Sequence, residues 1–153
     1  MICKKQINQT QNQWAQGIIA IGKLKNERNA CEQKAKEFID SLYAFDHVPV
    51  LFKPTRCETK QFRFDKNEAL SYFIAGKNRT CQEDQGFTSQ PWIKIRFENT
   101  GWILEENRAI TMGNYYFTDI HNQEVKVEYT LGYKLIENQL KIDLHHSSFP
   151  FKA

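Results

Sequence analysis

The segment Val125-Lys126-Val127-Glu128-Tyr129-Thr130-Leu131-Gly132-Tyr133 sets Val125, Val127, Tyr129 and Leu131 against Lys126, Glu128 and Thr130. That is the period-two pattern of a strand with one buried face and one wet face. On either side, Trp92 to Phe97, Gly101 to Leu104, Ile110 to Phe117 and Leu140 to Phe149 repeat the pattern between Asn, Asp and Gly turns, which predicts an antiparallel meander. Upstream the period is helical. Trp14, Ile18 and Ile21 share one face between Thr10 and Lys25, and Cys31, Ala35, Phe38, Ile39 and Leu42 form a second stripe after a polar break at Asn26. A turn from Asp46 to Pro49 leads into a short extended piece, Val50 to Lys53, closed by Pro54. A third helix is marked by Asp65 three residues before Glu68 and by Gly76 where a C-terminal glycine belongs. Helices first and hairpin-linked strands afterwards is the order of an α+β domain, with a curved antiparallel sheet wrapped over about three helices.

The chain has 153 residues, 41% of them hydrophobic, enough for one cored domain over 1–153 without a disulfide or metal staple. The polar, Gln- and Asn-rich stretch 1–9 is expected to be a flexible tail. The 21 basic and 18 acidic residues are interleaved, and no basic run exceeds two residues, which excludes nucleic acid as a main partner. Cys3, Cys31, Cys57 and Cys81 are too widely spaced for a metal knuckle or redox pair and read as free thiols of a reducing compartment. With no secretory signal and nothing near the roughly 20 apolar residues of a membrane span, the chain looks cytoplasmic and free of membrane. Trp92, Trp102, Tyr115, Tyr116 and Phe117 give the meander more aromatic surface than three short helices need, so part of it is expected to be covered by a second copy in a homodimer.

Neither a phosphate-binding glycine loop nor a dinucleotide fingerprint is present. Of the four histidines, His47 lies in a turn and His121 at a hairpin tip, while His145 and His146 point to opposite faces of the last strand. Asp143 shares the face of His145 and offers a second metal ligand, but no third follows. Ser147 lies two residues from His145, about 7 Å along the strand, too far for direct activation as a nucleophile. Asp143 is also the one candidate for a carboxylate base in an apolar pocket. What remains is a set of hydroxyls on three separate elements, Thr55, Tyr72 and Ser147, able to surround a small polar molecule without any ion. Each has a structural use as well: Thr55 in the turn after Pro54, Tyr72 as a bonded core phenol, Ser147 as a strand-end cap.

At these residues the chain resembles a known family. Pro49-Val50-Leu51-Phe52-Lys53-Pro54-Thr55, Ala69-Leu70-Ser71-Tyr72-Phe73, Gln90-Pro91-Trp92, Ile95-Arg96-Phe97-Glu98-Asn99, Met112-Gly113-Asn114-Tyr115-Tyr116-Phe117-Thr118-Asp119, Glu124-Val125-Lys126-Val127-Glu128-Tyr129-Thr130 and Leu144-His145-His146-Ser147-Ser148 are similar to segments of the iota-class carbonic anhydrases, in the same order. These proteins are related to the calcium/calmodulin-dependent kinase II association domain and have the cystatin-like, nuclear transport factor 2-like fold. The resemblance spans about Trp14 to Phe151, and departs at Lys77 to Gln85 and in the polar first helix. It implies reversible hydration of carbon dioxide to bicarbonate in a cone-shaped pocket, usually in a homodimer. Thr55, Tyr72 and Ser147 match the positions that hold bicarbonate and the attacking water. Members are described both with and without metal, and the scarcity of converging histidines favours the metal-free type, with no cofactor. His145, on the face of Ser147, is the candidate for relaying the released proton, since its ordinary pKa lies near neutrality. A non-catalytic association or ligand-binding module on the same fold is the alternative.

Overall fold

The computed structural model describes residues 1–153. Helices α1 (Lys4–Lys23), α2 (Arg28–Leu42) and α3 (Lys66–Ile74) lie against a five-stranded sheet of β1 (Leu51–Lys53), β2 (Trp92–Leu104), β3 (Arg108–Asp119), β4 (Glu124–Ile136) and β5 (Gln139–Ser148). The spatial order is β1-β5-β4-β3-β2. The four long strands form the expected antiparallel meander, while β1 runs parallel to β5, so the sheet is mixed rather than antiparallel throughout. No helix is long and apolar enough to cross a membrane.

Helix α1 begins at Lys4, which corrects the expectation of a flexible tail over 1–9. Ile7 extends the stripe of Trp14, Ile18 and Ile21 by two turns and is fully buried. Ile2 is buried as well, and its N–H donates to the carbonyl of Glu105. Two isoleucines in a polar run suffice to anchor the chain end, because each contributes about 1.5–3 kcal/mol when buried. On α2, Cys31, Ala35, Phe38, Ile39 and Leu42 are all buried, as their spacing requires. The Asp65 carboxylate accepts the Glu68 N–H at 2.8 Å and caps α3. At its other end the Arg28 guanidinium donates to the carbonyls of Ile74 and Ala75.

The sheet register shifts at three places, the first at Ile93 between the pairs Trp92–Asp119 and Lys94–Thr118. Residues 92–97 and 101–104, expected as two strands, are one strand in which Thr100 is the extra residue between the pairs Asn99–Gly113 and Gly101–Met112. On β5 the pairing passes from Tyr133–Ile142 to Gly132–Leu144, leaving Asp143 as the extra residue. Simple alternation put Asp143 beside His145, but the bulge turns Ile142 and His145 inward and sets Asp143 against Arg108. Asp143 is thereby removed from the pocket, both as a base and as a metal ligand.

Most of the aromatic surplus is internal. Trp92, Tyr115 and Phe117 are buried, and only Tyr116 and Trp102 keep part of their surface exposed, Tyr116 under the Arg96 guanidinium and Trp102 under the Lys4 ammonium. The aromatic count therefore reflects one core between sheet and helices rather than a surface waiting for cover.

Candidate active site

Thr55, Tyr72 and Ser147 arrive from three elements. Lys53 ends β1 by donating from its ammonium to the Ser147 carbonyl at 2.8 Å, which fixes Pro54 and Thr55 over the end of β5. The Thr55 and Ser147 hydroxyls are 2.5 Å apart. Tyr72 sits on the buried face of α3, and its hydroxyl accepts the Arg56 N–H at 3.3 Å. All three line one cavity of about 10 Å³, walled by Trp14, Phe52, Phe73 and Phe87. That volume holds about one water. Burial raises the Tyr72 phenol, against the Arg56 N–H, which lowers it. Tyr72 is thus protonated at neutral pH and has a proton to donate.

Behind the three hydroxyls runs a chain of buried hydrogen bonds. Tyr115 meets the Ser147 hydroxyl at 2.5 Å and the Nε2 of His145 at 3.1 Å. His145 Nδ1 lies 2.8 Å from the Tyr43 hydroxyl, which accepts the indole N–H of Trp14 at 3.1 Å. Phe52, paired with His145 across β1 and β5, stacks on the imidazole at 4.9 Å between centroids. Tyr43 reaches the histidine because the chain leaving α2 lies alongside β5 at Ile142.

The available donors and acceptors set the direction of this chain. An indole N–H only donates, so the Tyr43 oxygen accepts there and its own proton goes to His145 Nδ1. His145 is then the Nε2–H tautomer and donates to Tyr115, Tyr115 donates to Ser147, and Ser147 donates to Thr55. The Thr55 proton is left for the cavity. The opposite direction would strand the Tyr43 proton in a fully buried place, at a cost of about 1–3 kcal/mol.

His145 is therefore a neutral, doubly bonded member of the chain. Burial pushes its pKa down to about 3, with a smaller contribution from His146. His146 faces outward and is exposed, as the strand alternation implies. Nowhere do three or more His, Cys, Asp or Glu side chains cluster in a way that could hold a metal ion.

Sequence reasoning missed Tyr115, Tyr43 and Trp14 as parts of the site. Tyr115 was detectable, since it shares the inward parity of Phe117 and pairs with Val127 on the buried face. Tyr43 was not, because it lies outside both helix and strand patterns.

The outer wall of the site is braced by a buried ion pair. Arg63, fully buried, bonds both carboxylate oxygens of Asp84 at 2.8 Å and also donates to the carbonyls of Lys60 and Glu68. Asp84 accepts the Ser71 hydroxyl at 2.5 Å, next to Tyr72. Glu83 accepts the N–H groups of Thr59, Lys60 and Glu58, and these bonds hold its pKa down to about 2.

A family model described as metal-independent carbonic anhydrase matches residues 5–149. The chain is 32% identical to a metal-independent carbonic anhydrase of Nostoc sp. strain PCC 7120, over 99% of this chain and 75% of that protein. The crystal structure of a cyanobacterial iota-carbonic anhydrase complexed with bicarbonate superposes with a TM-score of 0.93 at 29% identity, covering 99% of this chain and 94% of that one. A Xanthomonas campestris structure described as a calcium/calmodulin-dependent protein kinase II association domain superposes at 0.63 with 19% identity, covering 93% and 84%, a likeness of fold alone.

Proposed function

Because the chain belongs to the metal-independent carbonic anhydrase family and catalyses the reversible hydration of carbon dioxide to bicarbonate, we propose that Thr55, Tyr72 and Ser147 are the groups that hold its reactants. The non-catalytic module on the same fold falls away with the family assignment. The observation that carries the site is the directed hydrogen-bond chain ending on Thr55, opposite the Tyr72 hydroxyl, in a cavity otherwise walled by rings.

The cavity holds about one water as it stands, so carbon dioxide and its water are accommodated together only when the ring walls part; in hydration the oxygen of that water then attacks the carbon of carbon dioxide as one C=O pair of electrons moves onto oxygen. The Tyr72 and Thr55 protons meet the charge developing on the carbon dioxide oxygens, as preorganised donors in a dry site. Ser147, already donating to Thr55 and accepting from Tyr115, keeps one lone pair for an O–H of the attacking water. The water thus sits between a fixed acceptor and the carbon, which supplies orientation in place of an ion. Its proton leaves through the mouth to water or buffer base. The interior offers no exit, since the chain ends on an indole N–H that accepts nothing, and a histidine with pKa near 3 is a poor base at neutral pH. His145 is accordingly a positioning residue, which keeps Tyr115 donating toward Ser147.

The test is stopped-flow carbon dioxide hydration on chelator-treated protein with the metal content measured. Full activity in metal-depleted protein is expected; activity that disappears on chelation and returns with zinc or manganese overturns the proposed mechanism.

We also propose a homodimer through the outer face of the sheet, where Ile103 and Met112 are more than half exposed beside Ile110. Light scattering at micromolar concentration should give twice the chain mass, and a monomer rejects the assembly. One continuous core of 31 buried residues supports a single domain over 1–153. Four free cysteines support a reducing, cytoplasmic location, which cell fractionation would test.

A further inference from the structure

Outside the small cavity lies a second chamber of about 550 Å³, and Tyr72 and Phe87 belong to the walls of both. Its volume falls in the ordinary range of small-molecule sites, whereas the inner cavity holds about one water. The two shared walls set the chamber directly beside the hydroxyls. Arg56 stands on its wall, one residue from Thr55, with its guanidinium carbon 5.9 Å from the centroid of Phe87 and 5.7 Å from that of Trp92.

The guanidinium of Arg56 makes no hydrogen bond and no ion pair within the chain, although its backbone N–H is engaged by Tyr72. The other charges around it are committed. Arg63 is spent on Asp84, Arg79 donates to the Asp84 carbonyl, and Glu83 is saturated by backbone N–H groups. Glu58, exposed on the same wall, is the one carboxylate there whose side chain has no partner. The chamber thus carries one free cation, fixed over two rings, and one free anion at its rim.

We propose that the outer chamber is an anion-binding vestibule in which Arg56 receives bicarbonate, or another planar monovalent oxyanion, before it reaches the hydroxyls and after it leaves them. A guanidinium presents paired N–H groups that match the two oxygens of such an anion, which a lysine at the same place would not. The rings beneath it hold the fork at the mouth and reduce its freedom. Glu58 opposes the same anion. This inference rests on the carbonic anhydrase reading for the identity of the physiological ligand, but nitrate binding can be measured without turnover.

Haldane's relation ties the kcat/KM values of the two directions together, so directional bias is not the readout; anion affinity is. Nitrate titration by calorimetry, and nitrate inhibition and bicarbonate KM in the dehydration assay, should be compared for wild type, Arg56→Gln and Glu58→Gln. Arg56→Gln should weaken nitrate and raise the bicarbonate KM by roughly 5- to 20-fold, the effect of losing a partly exposed charge-assisted pair. The KM for uncharged carbon dioxide should stay within about twofold, an inhibition and binding pattern that a merely structural arginine would not give. Glu58→Gln should tighten nitrate. Nitrate affinity within about twofold of wild type in Arg56→Gln, or a shift in the same direction in both variants, overturns the proposal. A wild type that binds nitrate in an Arg56-dependent way yet hydrates no carbon dioxide would instead refute the reading of the inner site and leave the vestibule standing.

Discussion

Tyr115→Phe deletes one oxygen from the middle of the buried chain and leaves the ring, which packs between Trp14, Phe97, Phe117 and Tyr129. Two hydrogen bonds go with it, the 3.1 Å contact to His145 Nε2 and the 2.5 Å contact to Ser147. The His145 N–H loses its acceptor in a residue only 2% exposed, so stability should fall by about 1–3 kcal/mol. In the reaction, Ser147 loses the donor that turns its proton toward Thr55, and Thr55 loses the donation that turns its own toward substrate. A weakening of about 1–3 kcal/mol at the transition state is roughly 5- to 150-fold in rate. Ser147→Ala should cost a similar factor, since it cuts the same chain one step nearer the cavity. The decisive measurement is the double variant in the stopped-flow assay. Residues acting as one unit are non-additive, so the double should be no slower than the worse single variant within about threefold. Two losses that multiply, for instance about 30-fold each giving about 900-fold, would refute the chain as a unit and make Tyr115 and Ser147 independent contributors.

Thr55→Val, which keeps the branched shape, should cost about 5- to 150-fold in rate with little change in melting temperature, assigning the hydroxyl to the reaction rather than to the turn after Pro54. His145 binds a proton unfolded below about pH 6.5 but stays neutral folded down to about 3, so the unfolded state holds the extra proton in that window and stability falls as pH drops through it. Denaturant titrations should show about 2 kcal/mol lost between pH 7 and pH 5, a slope that flattens in His145→Gln; Glu83, with its depressed value, contributes only below about pH 4.5. Arg63→Met strands Asp84 in a buried place and should destabilise by about 3–5 kcal/mol in equilibrium unfolding, whereas a change under about 1 kcal/mol would mean that the loops at the mouth are held by other contacts.

The elements were legible where one face of the chain is uniformly buried. Cys31 through Leu42 and Val127 through Leu131 keep their periods because every inward position meets the same core. Legibility failed where a local insertion broke the count. Asp143 is one residue too many for alternation, and no composition marks it, so the sequence put it in the pocket. Thr100 is the same device, disguised as a turn by the neighbouring Asn99 and Gly101. At the amino terminus, polarity outweighed two isoleucines whose partners lie in the sheet. At the proposed site, Thr55, Tyr72 and Ser147 drew notice as hydroxyls set close to aromatic or aliphatic bulk on three separate elements. Of the supporting chain, strand parity could place Tyr115 inward, but Trp14 and Tyr43 were hidden, since they look like core aromatics and are core aromatics. Their polar tips gain meaning only once the tertiary structure aligns them.

Trp14 closes the far end of the chain with a group that gives a hydrogen bond and takes none. A row of exchangeable protons sealed in this way is insulated from solvent on one side, and its labile hydrogens can trade with deuterium only at the Thr55 end or when the fold itself opens. The imidazole N–H of His145 should consequently appear as a long-lived, strongly shifted proton resonance. Its exchange rate would then be a clock for breathing of the cone, read from the same atom that orients the site.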